Sequence, residues 1–409
     1  MARRERLAKA RRNAGHTQET LAVEIGVHVV TAQRWERGTL GIGPSRRPAL
    51  AAALGISARE LNRILDEDSA DAPAEGPGER EPAPGGPRAW TAEAPRMLTD
   101  WEQAAYGYAC FLPMLPPEGI VDDLAADFAE LRRALDEAGA DQARAGLLKV
   151  GAQMAAVMAI ALVEAGGPPA AARWWRTARS MAASSGDVLL DAQICGRHAL
   201  TMHGIGLLTL ANRLADETAD LVGDLPCAGL AEATAARAQI LAHDDPAAAR
   251  AELAALEALA PALPAELREE HLATWGWPDR RFLAARTAVL AELGDAGVVD
   301  ELGVELKALD PGLVRDRAQA GLKLAWALVR AGRAEEGLKR AAEVIAELPP
   351  GQRTAPVVRL ATRVFDALPA PARDLPLTQD LRDLIVTASV PACECRTPGH
   401  HPRHIPARA

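Results

Sequence analysis

Two groups of side chains in this chain of 409 residues have the atoms to do chemistry. The first is cationic and lies at the N-terminal end. Through Leu65 there are 12 Arg or Lys against 5 Glu, a charge of +7, whereas the whole chain carries −9, so the remainder carries −16. That asymmetry points to a nucleic-acid-binding head on an acidic body, because clustered guanidinium and ammonium groups are what a phosphate backbone attracts. The second group is the C-terminal run PACECRTPGHHPRHIPARA, in which Cys393, Cys395, His400, His401 and His404 have zinc-ligating atoms. Their spacing fits no standard metal site, and Pro and Arg interleave them, so a disordered tail with no metal is expected. Of the five cysteines, none falls into a disulfide framework, and reduced thiols in a cytoplasm fit best. No G-x-x-x-x-G-K-[ST], G-x-S-x-G or H-E-x-x-H occurs, and no Cys-x-x-Cys, so nothing proposes an enzyme, a catalytic residue or a cofactor. His198, His203 and His243 sit in helical patterns and read as packing or solvated residues.

The elements that position the cations are short helices. Helix 1 is expected at 3–14, with Leu7 and Ala10 inward and Gly15 ending it. Thr17 can cap the next helix, since its hydroxyl accepts from exposed backbone N–H groups. That helix runs to about Ile25, Gly26-Val27 make a tight turn, and a third helix spans Val29 to Arg37, stopped by Gly38. Leu21, Ala22, Ile25, Val27, Ala32 and Trp35 form one apolar set, and small Ala22 lets the helices cross closely. Helices at 45–54 and 57–65 close the domain, with Ser57 as a cap and Leu50, Leu54, Ile56 and Leu61 inside. This is helix-turn-helix logic, in which one helix braces and the next enters the major groove by its N-terminal residues.

TQETLAVEIGV and RWERG carry a closer likeness. The stretch resembles the Cro/cI (XRE-type) family of bacterial DNA-binding domains over about residues 4–65. The resemblance implies roles for individual residues. Gln18 matches a Gln that contacts a phosphate. Val29, Val30 and Arg34 match positions that face base edges, Thr31 matches a backbone-contact position, and His28 and Gln33 fall on the same DNA-facing surface. Arg46 and Arg47 lie near a second backbone contact. Arg11 and Glu36 match an ion pair between helices 1 and 3 that is structural. His28 replaces the usual Ser or Thr cap. Val29 and Val30 cannot hydrogen-bond to bases but can press on thymine methyl groups, leaving Arg34 as the main polar reader, to a guanine. The rival reading is a head that binds protein instead of DNA.

Residues 66–96, DEDSADAPAEGPGEREPAPGGPRAWTAEAPR, cannot bury enough apolar surface to offset ordering entropy and read as a flexible acidic Pro/Gly linker. Beyond it, helix pairs are expected at 141–165 with 169–184, 187–203 with 206–222, 228–242 with 246–260, 279–293 with 296–309 and 313–330 with 334–347. The unit GLKLAWALVRAGRAEEGLKRAAEVIAELPP (321–350) resembles the tetratricopeptide (TPR) pattern, with small residues where helices cross and a terminal proline. Trp275, Trp277 and Pro278 interrupt the repeat and read as a structural corner. The most apolar stretch, 147–163, contains Lys149 and Gln153 and reads as a buried helix, so no membrane is expected. In regulators with similar bodies, the groove grips peptides through asparagines. Here the body has one, Asn212, which leaves a peptide or protein ligand as an open alternative.

The expected architecture is therefore all-α. A five-helix Cro/cI-type head at 1–65 and the linker precede a TPR-like α-solenoid at 97–390 and a tail at 391–409. The head, linker and alanine-rich body together resemble regulators from high-GC bacteria. That resemblance implies a cytoplasmic, homodimeric regulator of transcription whose partner is double-stranded DNA. The alternative is an interaction scaffold whose head does not read DNA.

Overall fold

The computed structural model describes residues 4–25, 29–37, 42, 47–57, 60, 61, 63–65, 94–138 and 142–389, without the side chains of 23, 30, 31, 34, 47–49, 94–97, 142, 380, 384 and 387–389. Helix is the only regular secondary structure among them. The expected linker therefore lies outside the described residues except for its last three positions, which already belong to a helix beginning at Ala94. The expected tail lies wholly outside them.

The head comprises α1 (Glu5–Asn13), α2 (Gln18–Glu24), α3 (Val29–Arg37) and α4 (Arg47–Ala53). Helical backbone recurs at 60, 61 and 63–65. Gly15 ends α1 with φ +81°, a conformation that costs a Cβ-bearing residue energy. Thr17 Oγ1 then accepts from the Thr20 backbone N–H at 3.1 Å and opens α2. Ser57 Oγ accepts from the Glu60 N–H at 3.1 Å in the same way. The core gathers Leu7, Leu21, Ala22, Ile25, Ala32, Trp35, Leu50, Leu54 and Leu61. On α1 the inward alanine is Ala8, fully buried, whereas Ala10 is only half-buried at the margin of the core. At a period of 3.6, positions 7, 8 and 11 share the stripe and position 10 flanks it.

The body begins with α5 (Ala94–Phe111) and α6 (Pro117–Glu137). Helix pairs follow: α7 (Gln142–Glu164) with α8 (Pro168–Ser185), α9 (Val188–Gly204) with α10 (Leu208–Val222), and α11 (Ala228–Asp244) with α12 (Pro246–Leu259). The short helix α13 (Ala265–Glu269) precedes α14 (Asp279–Leu293) with α15 (Val298–Ala308), α16 (Val314–Arg330) with α17 (Ala334–Glu347), and α18 (Ala355–Asp366). Two more helices, α19 (Ala370–Arg373) and α20 (Pro376–Ser389), complete the described chain.

Local chemistry sets the breaks. Gly186 at φ +74° ends α8, and the Asp187 carboxylate accepts from the Leu190 N–H at 3.0 Å to start α9. Asp245 does the same for α12 through Ala248 N–H, with Pro246 at the first helical position, where its missing N–H costs nothing.

Within each pair the helices pack on each other, and α9, α11, α14, α16 and α18 also pack in succession. The crossing of α9 on α11 is close. A Cβ built on Gly196 would overlap the Gly229 carbonyl, and one on Gly229 would overlap the Ala192 carbonyl. Alanines 231, 233, 235, 236 and 238 of α11 are buried with no long side chain to hold the neighbours off. Ala143–Glu164 of α7 has the length and apolar composition to cross a membrane, but 72% of its most apolar 18 residues are buried inside the body, as in a core helix.

Trp275 and Trp277 do make a corner. Trp277 N–H donates to the Leu267 carbonyl at 2.7 Å, Gln193 Nε2 donates to the Trp275 carbonyl at 3.2 Å, and Thr274 N–H reaches back to the Ala109 carbonyl at 3.0 Å. The irregular stretch between α12 and α14 is thereby tied to α5, α9 and α13.

Candidate functional site

In the head, α1, α2 and α3 meet at one carboxylate. Glu36 is 4% exposed and Arg11 8%. Arg11 Nε lies 2.6 Å from Glu36 Oε1, and Arg11 Nη2 lies 3.4 Å from Oε2, a two-pronged pair. Gln18 Nε2 donates to the same Oε2 at 2.6 Å, and Arg11 Nη1 donates to the His16 carbonyl at 2.7 Å. The first turn of α2 is thus fastened to the last turn of α3 through a buried anion that a cation on α1 neutralises. A buried charge is tolerated only when paired and hydrogen-bonded in this manner.

Gln18 was expected to meet a phosphate. One amide N–H is instead directed at Glu36, leaving its second N–H and its carbonyl oxygen for other partners. Gln18, Gln33, Glu36 and Arg37 line one depression on the head's surface, where Arg37 Nη2 donates to Gln33 Oε1 at 3.1 Å. Val29 departs from its expected base-facing role. It is half-buried and packs against the head core, because the stripe of α3 that holds Ala32 and Trp35 also includes position 29. The methyl-contact reading of a Val29-Val30 pair is weakened on the Val29 side. Val30, Thr31, Arg34 and Arg47 lie in helical backbone with their side chains outside the described residues, and His28 and Arg46 lie outside them altogether.

The body holds a second candidate, a cleft of about 540 Å³. Its walls come mainly from α9, α11, α14, α16 and α18, with Leu208 of α10, Glu305 of α15 and Trp277 of the corner. On its floor, Arg197 Nη2 donates to Glu232 Oε1 and Arg197 Nη1 donates to Thr274 Oγ1 at 3.0 Å. Arg281 Nη1 reaches the same Glu232 oxygen at 3.4 Å, and its Nη2 reaches Thr274 Oγ1 at 3.2 Å. Burial and the like charge of Arg197 push the Arg281 guanidinium well below its usual range.

A concave groove in the body in which Arg and Trp side chains could bind a partner was expected, but not which of them line it. His203 and His243, read as packing or solvated residues, line it. Burial holds His203 down to about 4, so its ring is neutral at pH 7. His198 does pack, its ring stacked on Trp175 with centroids 4.3 Å apart. The sequence signal available was the recurrence of Arg and Lys on the first helix of successive pairs, which periodicity alone does not tell apart from a solvated face. Among the described residues, no three His, Cys, Asp or Glu side chains converge as a metal site would require. Cys393, Cys395, His400, His401 and His404 lie outside them.

Residues 7–61 match the helix-turn-helix family model. No curated protein and no solved structure matches the chain. The head is accordingly a helix-turn-helix domain of the kind carried by DNA-binding regulators.

Proposed function

We propose that this protein is a cytoplasmic, sequence-specific DNA-binding regulator of transcription. Its α3 enters the major groove, and its body is a TPR-like dimerisation and sensing unit. The observation that supports this reading most is the three-way lock of Arg11, Gln18 and Glu36, inside a segment that matches the helix-turn-helix model. Such a lock gives α2 and α3 one relative orientation, so that α2 braces the phosphates while the outer face of α3 meets base edges. The head's +7 supplies the sequence-independent attraction. Arg34 is the proposed base reader, and Gln18, Gln33, Thr31, Arg46 and Arg47 are the proposed supporting contacts. One short recognition helix discriminates weakly, so two heads acting together are needed. The acidic Pro/Gly segment at 66–93 gives them reach toward half-sites about 34 Å apart or a multiple of that.

The test is selection of genomic DNA fragments by the purified full chain. A discrete motif repeated about one helical turn apart supports both DNA reading and pairing of heads. Uniform recovery of all fragments would sink the regulator and leave the interaction scaffold.

A further inference from the structure

The body cleft is short of negative charge. Three of its cations are matched within the wall: Lys323 lies 3.0 Å from Glu305, Arg363 2.7 Å from Glu292, and Arg280 3.5 Å from Asp316. Arg197 and Arg281 must share the single carboxylate of Glu232. Arg359, at the exposed rim of the cleft, lies over Gly206 and makes no ion pair or hydrogen bond among the described residues. The wall thus holds about two uncompensated positive charges inside a portion of the chain that carries −16. An excess of cations along a concave, partly apolar wall favours a bound anion more than open water does.

Polar groups without partners line the same space. Arg197 Nε and Trp277 Nε1 are enclosed in the wall with no acceptor, and Glu232 Oε2 is enclosed there with no donor. The Gln319 amide is also without a hydrogen bond among the described residues. The remaining wall is apolar: Leu200, Ala284, Ala288, Leu360 and the rings of Trp277 and Trp326. A cleft of about 540 Å³ falls within the size range of small-molecule sites.

We propose that this cleft binds a small organic anion with an aromatic or aliphatic body, its carboxylate or phosphate held by Arg359, the excess charge of the Arg197–Arg281 pair adding attraction from elsewhere in the wall, and its apolar part lying against Trp277 and Trp326. A peptide is the poorer fit. The body's one asparagine, Asn212, is outside the cleft and bonded to Asp216, and of the two glutamines in the wall Gln239 already donates to the Ala235 carbonyl, which leaves too few amides to hold a main chain. The proposal rests on reading the body as a sensing unit. It does not depend on the head's reading of DNA.

The experiment is fluorescence titration of the full chain, without DNA, with anilinonaphthalene sulfonate. Its sulfonate stands in for the carboxylate or phosphate and its rings for the apolar body. The neutral analogue phenylnaphthylamine runs in parallel. One saturable sulfonate site per chain is expected. Arg359→Ala should weaken it about tenfold or more, the worth of a charge-assisted hydrogen bond, while leaving the neutral analogue unchanged. Lys339→Ala, at an exposed site outside the cleft, should change neither. Ala288→Trp should abolish both by filling the space. Benzoate and phenyl phosphate should each displace the probe, and the one effective at lower concentration identifies the anionic group. Absence of a saturable site would overturn the proposal. So would equal loss in Arg359→Ala and Lys339→Ala, or an Arg359→Ala titration that overlays the wild type. Because no DNA is present, such a failure leaves the regulator reading standing, and failure of the genomic selection leaves this one standing.

Discussion

Glu36→Ala should cost the head much of its stability without removing a DNA contact. In the native head the Arg11 guanidinium has three bonds, two to Glu36 and one to the His16 carbonyl. With Glu36 gone, one bond remains and no counter-ion, in a place where Arg11 is 8% exposed. Gln18 also loses its acceptor at 2.6 Å. Removing one partner of a buried pair costs about 3–5 kcal/mol. For a domain of this size, 1 kcal/mol moves the melting temperature by roughly 4–8 °C, so a fall of about 12 °C or more is expected. Circular dichroism melting of a 1–68 fragment measures it, since this segment has its own core around Leu21, Trp35 and Leu50. Glu36→Gln keeps the shape and one acceptor and should lose less. The double replacement Arg11→Met with Glu36→Leu removes both charges and should recover most of the loss, because no buried charge is left unpaired. A Glu36→Ala shift below about 4 °C, or a double variant no better than the single, would show that the pair is too well hydrated for this reasoning.

Arg34→Ala should reduce binding to a selected motif more than to random DNA, by about 1–3 kcal/mol of discrimination, whereas Arg46→Ala should weaken both alike and reduce the salt slope by about one. Competition assays across a salt series separate the two, and an unaltered preference in Arg34→Ala would remove it as the base reader. Gly196→Ala should destabilise the body by about 1–3 kcal/mol or more, since its Cβ overlaps the Gly229 carbonyl and backbone cannot rotate away as a side chain can; an unchanged urea midpoint would refute the close crossing. His198, held down to about 3 chiefly by burial and also by Arg179 and Arg213, stays neutral when folded, with Nδ1 lacking a partner. Below about pH 6.5 the unfolded chain takes up a proton that the folded chain refuses, so stability falls with pH, by about 2 kcal/mol at pH 5 from this one ring. His198→Phe retains the stack on Trp175 and should flatten that dependence. Glu164, raised to about 7 by burial, contributes stability that is full below its unfolded value and lost as pH rises through 7, and the comparison between the two proteins cancels it. Parallel pH profiles for wild type and His198→Phe would exclude the histidine as the cause.

Much of the architecture was legible in the sequence because local rules decide it. Positions of the paired helices follow from breakers and caps: Gly186 then Asp187, Asp245 then Pro246, Gly332 at φ +81°. The head was legible for the same reason, with Gly15 and Thr17 setting the break and the apolar set setting the packing. Ala10 packs at the margin of the head core as expected, but Ala8, beside Leu7 on the buried stripe, is the fully buried alanine, which spacing alone did not resolve. Val29 turned inward for a similar reason, since its position is compatible with both the edge of the core stripe and the DNA-facing surface.

What the sequence by itself determined is therefore the order of helices, the charge division between head and body, and the residue types available to pair, Arg11 with Glu36 among them. Only the tertiary structure decided that Gln18 turns one amide N–H to Glu36, that Arg197 and Arg281 share Glu232, and that Arg359 lacks a carboxylate. The cleft draws on residues from Arg197 to Arg363, on seven helices and a corner. Helical periodicity states that a helix has a polar face but not what that face looks upon. A charge on a solvated face and the same charge on a concave wall have one sequence pattern, and they differ only in the dielectric and the neighbours that folding brings to them.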